Sequence, residues 1–226
     1  MDIYFNSKFN KILSLGSNCY PKFFIGRILK PVYGQTELFD YIGTSMWAIN
    51  MLLLNDFAGL TDIQLFDILP ILEGEEPIVT NTKYYMRFIH DLKKVSDSES
   101  VEFQEKIKRR IQRFKENMSS FDRILFIRRQ EIQKGRIHYN GGLKRPERDE
   151  LDDFIDILHI KYKCRGVTII YINLEEDGWN DRGDILCVKA ESLGCEREDP
   201  HNVIMELFEK KHVIESLEKR FLKRST

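Results

Sequence analysis

The sequence predicts a single α/β domain built on a mainly parallel, Rossmann-like sheet with helices on both faces. Three observations lead there. Apolar runs at 11–15, 123–128, 167–173 and 184–188 have the length and composition of strands. Amphipathic stretches of helical period lie between most of them. Strands that alternate with helices pair in parallel and bury both faces of their sheet.

Residues 11–15 (KILSL) form the first strand, closed by Gly16. A helix follows with Phe24, Ile25, Ile28 and Leu29 on one face. Pro21 is tolerated in its first turn, and Pro31 and Gly34 end it. A loop holding Phe39, Asp40 and Tyr41 leads to a helix over 45–54, and the stretch to residue 80 reads as irregular or weakly helical. Residues 83–90 (KYYMRFIH) alternate as a strand, with a short helix as the alternative. Ser96 and Glu99 have capping-box spacing ahead of a helix at 98–118. Its inward stripe is Phe103, Ile107, Ile111, Phe114 and Met118; the opposite face, with Lys106, Arg109, Arg110 and Arg113, reads as solvated.

Residues 123–128 (RILFIR) are the next strand, and the loop to 145 contains His138. Pro146 opens a helix to 162 that turns Leu151, Phe154, Ile155 and Leu158 inward. The run 167–173 (VTIIYIN) is the most apolar strand and so the central one. After the strand at 184–188, Asp199 and Pro200 start a terminal helix to 222. No linker or repeat divides 1–226, so the chain reads as one domain, its last strand and helix at 184–222.

The chain has 226 residues, 42% hydrophobic and 31% charged, with a net charge of −1. That balance gives no field to draw in nucleic acid, and the longest apolar stretch is too short for membrane insertion. Residues 1–11 hold no apolar core, so no secretory leader is expected. Cys19, Cys164, Cys187 and Cys195 form no C-x-x-C pair, which fits a reducing, cytoplasmic setting and no disulfide framework. No His, Asp or Glu grouping has metal-ligand spacing, so no metal or other cofactor is expected.

The stretch Ser14-Leu15-Gly16-Ser17-Asn18-Cys19 carries the most chemical information. It sets a glycine, two small polar residues and a thiol between a strand and a helix. A thiol at a helix N-terminus feels the positive end of the dipole, which favours the nucleophilic thiolate and predicts a depressed pKa. Backbone N–H groups of Gly16, Ser17 and Asn18 can hold an oxyanion or a phosphate. The bland alternative is a turn in which Asn18 caps the helix and Cys19 fills space. The stretch is neither a P-loop nor a dinucleotide fingerprint. His90, followed by Asp91, is the candidate base, oriented by Asp91 or Asp40. His138, His159 and His212 read as incidental.

The succession SLGSNC at 14–19, LFDY at 38–41, NTKYYMRFIHD at 81–91, RRIQRF at 109–114 and ILFIR at 124–128 resembles the DUF1796 family, named for papain-like cysteine peptidase chemistry. The resemblance extends over about 11–173. It implies Cys19 as nucleophile, with His90 and Asp91 or Asp40 as base and orienter. The C-G-[SA]-C-[WY] signature of the papain group is absent, and the cysteine follows a strand of a parallel chain rather than opening a helix on an antiparallel barrel. A second likeness is to SGNH/GDSL-type esterases. Gly178-Trp179-Asn180-Asp181 matches their G-x-N-D block, and His201 follows Asp199 late in the chain, but Gly16-Ser17-Asn18 departs from Gly-Asp-Ser.

These readings converge on a cysteine-dependent hydrolase or acyl transferase acting on a peptide, small-molecule or glycan substrate. The rivals are an SGNH-like esterase using Ser17 or Cys19 with Asn180 and His201, a non-catalytic phosphate or sugar-nucleotide binding module using Arg128, Arg129 and Lys83, and a glycan-processing transferase. A strand at 83–90 beside that at 11–15 would bring His90 to the sheet edge of Cys19, provided the two run parallel.

Overall fold

The structure, a computed structural model, describes residues 8–26, 35–69, 78–88, 90–92, 97–120, 122–130, 145–174, 176–190, 216–217 and 219–221. The main sheet contains β1 (Lys11–Ser14), β6 (Ile124–Arg129), β7 (Val167–Asn173), β9 (Ile185–Lys189) and β8 (Gly178–Trp179), in the order β1-β6-β7-β9-β8. The first four are parallel; β8 folds back antiparallel on β9. This is the mainly parallel α/β sheet that the apolar runs predict. Its parallel strands follow one another in chain order, so the strand reversal of a doubly wound sheet is absent among the described residues.

Side chains along these strands alternate between two apolar clusters. Leu13, Phe126, Ile169 and Ile185 face one way, with helices α2 (Met46–Leu54), α3 (Asp97–Ser120) and α4 (Glu147–Lys161). Ile12, Ile127, Ile170 and Leu186 face the other, against Phe24 of the short α1 (Tyr20–Phe24) and Leu217 and Phe221 near the C-terminus. Helical cover therefore lies on both faces. The amino-terminal part of the expected terminal helix, with Asp199, Pro200 and His201, lies outside the described residues, as do Ile28, Leu29 and His138.

A second sheet, not foreseen in the sequence, is antiparallel: β2 (Ile42–Gly43), β5 (Met86–Phe88), β4 (Ile78–Asn81) and β3 (Phe66–Leu69), paired in that order. Two expectations need correction here. Residues 66–69 and 78–81 are strands rather than irregular chain. Among the described residues the segment 83–90 is strand only at Met86–Phe88, and it pairs with β2 and β4 rather than with β1. Asn81 is the reason: its Oδ1 takes the N–H of Tyr84 (3.0 Å), and Tyr85 adopts φ +54°, so the chain turns before β5 can start. Phe66 and Phe88 pack on Phe103 of α3 at 5.2 and 5.1 Å, which joins the second sheet to the core of the first.

Burial pushes the Cys164 thiol up to about 11 and the Cys187 thiol up to about 12. Both keep their protons in the folded chain at a pH where the unfolded chain has lost them. Their contribution to stability is therefore complete below about pH 8.5 and is lost as pH rises through those values. The urea midpoint should fall between about pH 8 and pH 10.5, and fall less in Cys187→Ala. An equal fall in that variant would remove Cys187 as a source.

Candidate active site

The loop after β1 sits at the carboxyl edge of the parallel sheet. Leu15 extends the ladder by one bond, its N–H donating to Ile127 O at 2.9 Å. Gly16 and Ser17 then take φ +69° and +74°, the left-handed region. At Gly16 a Cβ would lie 2.7 Å from Thr44 Cγ2 and 3.1 Å from Ile42 O, so β2 and Thr44 pack directly on this turn. Ser17 holds the same backbone conformation with a side chain. It is 2% exposed, and among the described residues its hydroxyl has no partner. The Gly16 N–H donates to Ser14 Oγ at 3.1 Å. Among the described residues, the N–H groups of Ser17 and Asn18 have no such acceptor.

Asn18 Oδ1 accepts the Tyr20 N–H at 2.9 Å, which makes it the local cap of α1. Cys19 stands at the N-cap position with helical backbone, and Pro21 lies in the first turn, where a missing N–H costs nothing. The Cys19 thiol is half-buried and lies 3.4 Å from His90 Nε2. The expected depressed pKa is reversed: burial pushes the thiol up, opposed by the backbone N–H of Cys19 itself. A described helix of five residues offers little dipole against that desolvation.

His90 is exposed and follows β5, so its imidazole comes from the antiparallel sheet while the sulfur comes from the parallel one. β2 bridges them, paired to β5 and packed on Gly16. Tyr41 meets the imidazole edge-on, with ring centroids 5.7 Å apart at 86°.

Neither carboxylate expected to orient His90 contacts it among the described residues. Asp91 is held by Arg110 of α3 through two bonds of 2.7 and 3.0 Å, with Lys106 at 3.4 Å. Asp40 is buried. Its Oδ2 accepts the Glu37 N–H at 2.8 Å and pairs with Lys22 of α1 at 2.7 Å. Burial raises its pKa, with Lys22 the main opposing influence. Both carboxylates thus fix backbone near the thiol and the ring. Lys22, Arg110 and Tyr41 were not singled out in the sequence. For Arg110 the signal lay in a face read as solvated: Lys106 and Arg110 are one turn apart and share Asp91.

The residues of the rival readings lie elsewhere or are engaged. Arg128 is fully buried. Its Nε donates to Glu147 at 2.6 Å, and its Nη1 donates to Leu15 O and Thr44 O at 2.8 and 2.9 Å. It is a clamp between the site loop, the chain after β2 and the first turn of α4, already neutralised by Glu147. Asn180 takes the N–H groups of Asp184 and Ile185, each at 3.0 Å, and so shapes the turn into β9. β8 and β1 are opposite edges of a five-stranded sheet. Four inter-strand steps of about 4.8 Å put Asn180 on the order of 19 Å from the loop. His201 lies outside the described residues. Among the described residues, no group of three or more His, Cys, Asp or Glu is placed to hold a metal ion, and no helix is long and apolar enough to cross a membrane.

The fold and site define an α/β protein whose first parallel strand ends at a thiol in contact with an imidazole. The chain belongs to the DUF1796 family, whose model, described as "Putative papain-like cysteine peptidase", matches residues 10–138. That match takes in Cys19, Asp40, His90, Asp91 and Arg128 and stops before α4, short of the 173 that the motif succession suggests. Neither the comparison with curated proteins nor that with solved structures gives a match.

Proposed function

We propose that this chain is a cysteine-dependent hydrolase or acyl transferase, with Cys19 as nucleophile and His90 as general base. The 3.4 Å contact between Sγ and Nε2 carries the reading. Because burial keeps the thiol protonated, His90 Nε2 takes the proton as the sulfur attacks an acyl carbon, and no standing thiolate is needed. The N–H groups of Ser17 and Asn18 supply donors for the oxyanion. Collapse breaks the bond to the leaving amine, alcohol or thiol, which receives the proton from His90. Water, or an acceptor nucleophile, then gives its proton to His90, attacks the thioester and releases the thiolate, which is reprotonated. Asp40 and Asp91 act as positioning residues that hold the backbone on either side. The family's name points to a peptide as the acyl donor. The mainly parallel sheet carries the cysteine without an antiparallel barrel, so the papain likeness is one of chemistry rather than architecture.

The test is trapping. Full-length chain mixed with p-nitrophenyl acetate should release a burst of nitrophenol and carry an acetyl group on the peptide that contains Cys19. Cys19→Ala should show neither. Acetylation spread over lysines with no burst would sink the proposal.

A further inference from the structure

We infer that Tyr41 is the positioning residue for the His90 imidazole, doing with an aromatic ring what a carboxylate does in a Cys–His–Asp arrangement. The inference rests on the reading of Cys19 and His90 as nucleophile and base. Among the described residues the imidazole makes one hydrogen-bond-distance contact, with the Cys19 sulfur, and one ring contact, with Tyr41. A base must aim one nitrogen at the thiol, and here the ring that limits its rotation is Tyr41. Tyr41 is itself wedged against Phe23, with centroids 5.8 Å apart at 68°. Phe23 belongs to α1, the helix that Cys19 begins. One aromatic chain, Phe23–Tyr41–His90, therefore ties the imidazole to the element that carries the sulfur.

The backbone at residue 41 supports this role. Tyr41 adopts φ +62°, a conformation that a tyrosine takes only when its surroundings impose it. Asp40, just before it, is pinned by Lys22 and the Glu37 N–H. Ile42 and Gly43, just after it, pair with Phe88 and Arg87 of β5, the strand that leads to His90. The strain is held from both sides, and the ring that results faces the imidazole. This also gives the motif Leu38-Phe39-Asp40-Tyr41 a division of labour. Leu38 and Phe39 are core, Asp40 is the tether, and Tyr41 is presented to the site.

The test compares Tyr41→Phe, Tyr41→Leu and Tyr41→Gly in the full chain. Gly relieves the left-handed backbone, so a poorly folded Leu variant would not stop the experiment. The two readouts are the acylation rate with p-nitrophenyl acetate and the His90 tautomer by ¹⁵N NMR of the ring. Phe should keep the wild-type rate and a single tautomer. Leu and Gly should lower kcat about tenfold with KM little changed, and should mix the two tautomers. Wild-type tautomer and rate in both Leu and Gly would overturn the inference, as would loss of rate in Phe. If wild-type chain forms no acyl–Cys19 at all, the catalytic reading has failed; the tautomer measurement still decides whether Tyr41 sets the ring.

Discussion

Replacing His90 with Ala should lower acylation of Cys19 near neutral pH by about 10²- to 10⁴-fold, the range in which positioned general bases contribute. The pH dependence makes the prediction specific. Burial raises the Cys19 pKa, so the thiol keeps its proton to higher pH than a free cysteine. In the wild type the proton leaves through His90. In His90→Ala the residual rate depends on spontaneous ionisation, and it should climb with pH until the raised thiol has titrated. The ratio of wild-type to variant rates should therefore shrink as pH rises past the ordinary thiol range. Alkylation by iodoacetamide should give the same picture, with a midpoint in His90→Ala above that of free cysteine. A ratio that stays constant with pH, or a midpoint below the free thiol, would remove His90 as the base for a half-buried neutral thiol.

The largest stability effect is expected at Arg128. Among the described residues it is the largest fully buried side chain, and its partners are the Glu147 carboxylate and the carbonyls of Leu15 and Thr44. Arg128→Met leaves a carboxylate beside Tyr171, whose hydroxyl reaches Glu147 at 3.3 Å, and strands two carbonyls that the guanidinium had satisfied. Breaking one side of such a pair costs about 3–5 kcal/mol. Folded domains have only about 5–15 kcal/mol in hand, so the variant should lose a large share of its urea resistance. Arg128→Met combined with Glu147→Leu should recover part of the loss, because no charge is then left unmatched. A single-variant cost below about 1 kcal/mol would mean that Glu147 finds solvent and the clamp is ornamental.

The elements that the sequence announced are those whose signal is local. Apolar runs marked β1, β6, β7 and β9 because a strand buried on both faces needs few polar residues. The stripe Phe103, Ile107, Phe114, Met118 marked α3 for the same reason on one face. The second sheet was hidden. β3 is four residues long and exposes Asp67 and Ile68, so no alternation survives to be read. The thiol and the imidazole stood out as candidates, since both are chemical groups in motif-like settings. Their surroundings did not, since Asp91–Arg110, Asp40–Lys22 and Tyr41–His90 are contacts between distant segments. Arg128 within an apolar strand could have been read further. A guanidinium among isoleucines demands a buried anion, and Glu147, the first acid after Pro146, supplies it.

The sulfur and the imidazole are 71 residues apart in the chain and are delivered by different sheets. A segment that carries only one of the two sheets cannot bring them together. Chain assembly thus acts as a safety catch. Until both sheets have docked, the thiol has no base and remains an ordinary, sluggish sulfhydryl. On the proposed chemistry, reactivity arrives with the docking of the two sheets and is expected to go early when heat or denaturant parts them. Loss of the p-nitrophenyl acetate burst should accordingly precede loss of helical signal on unfolding, which makes the pair an internal gauge of how well the two layers are seated.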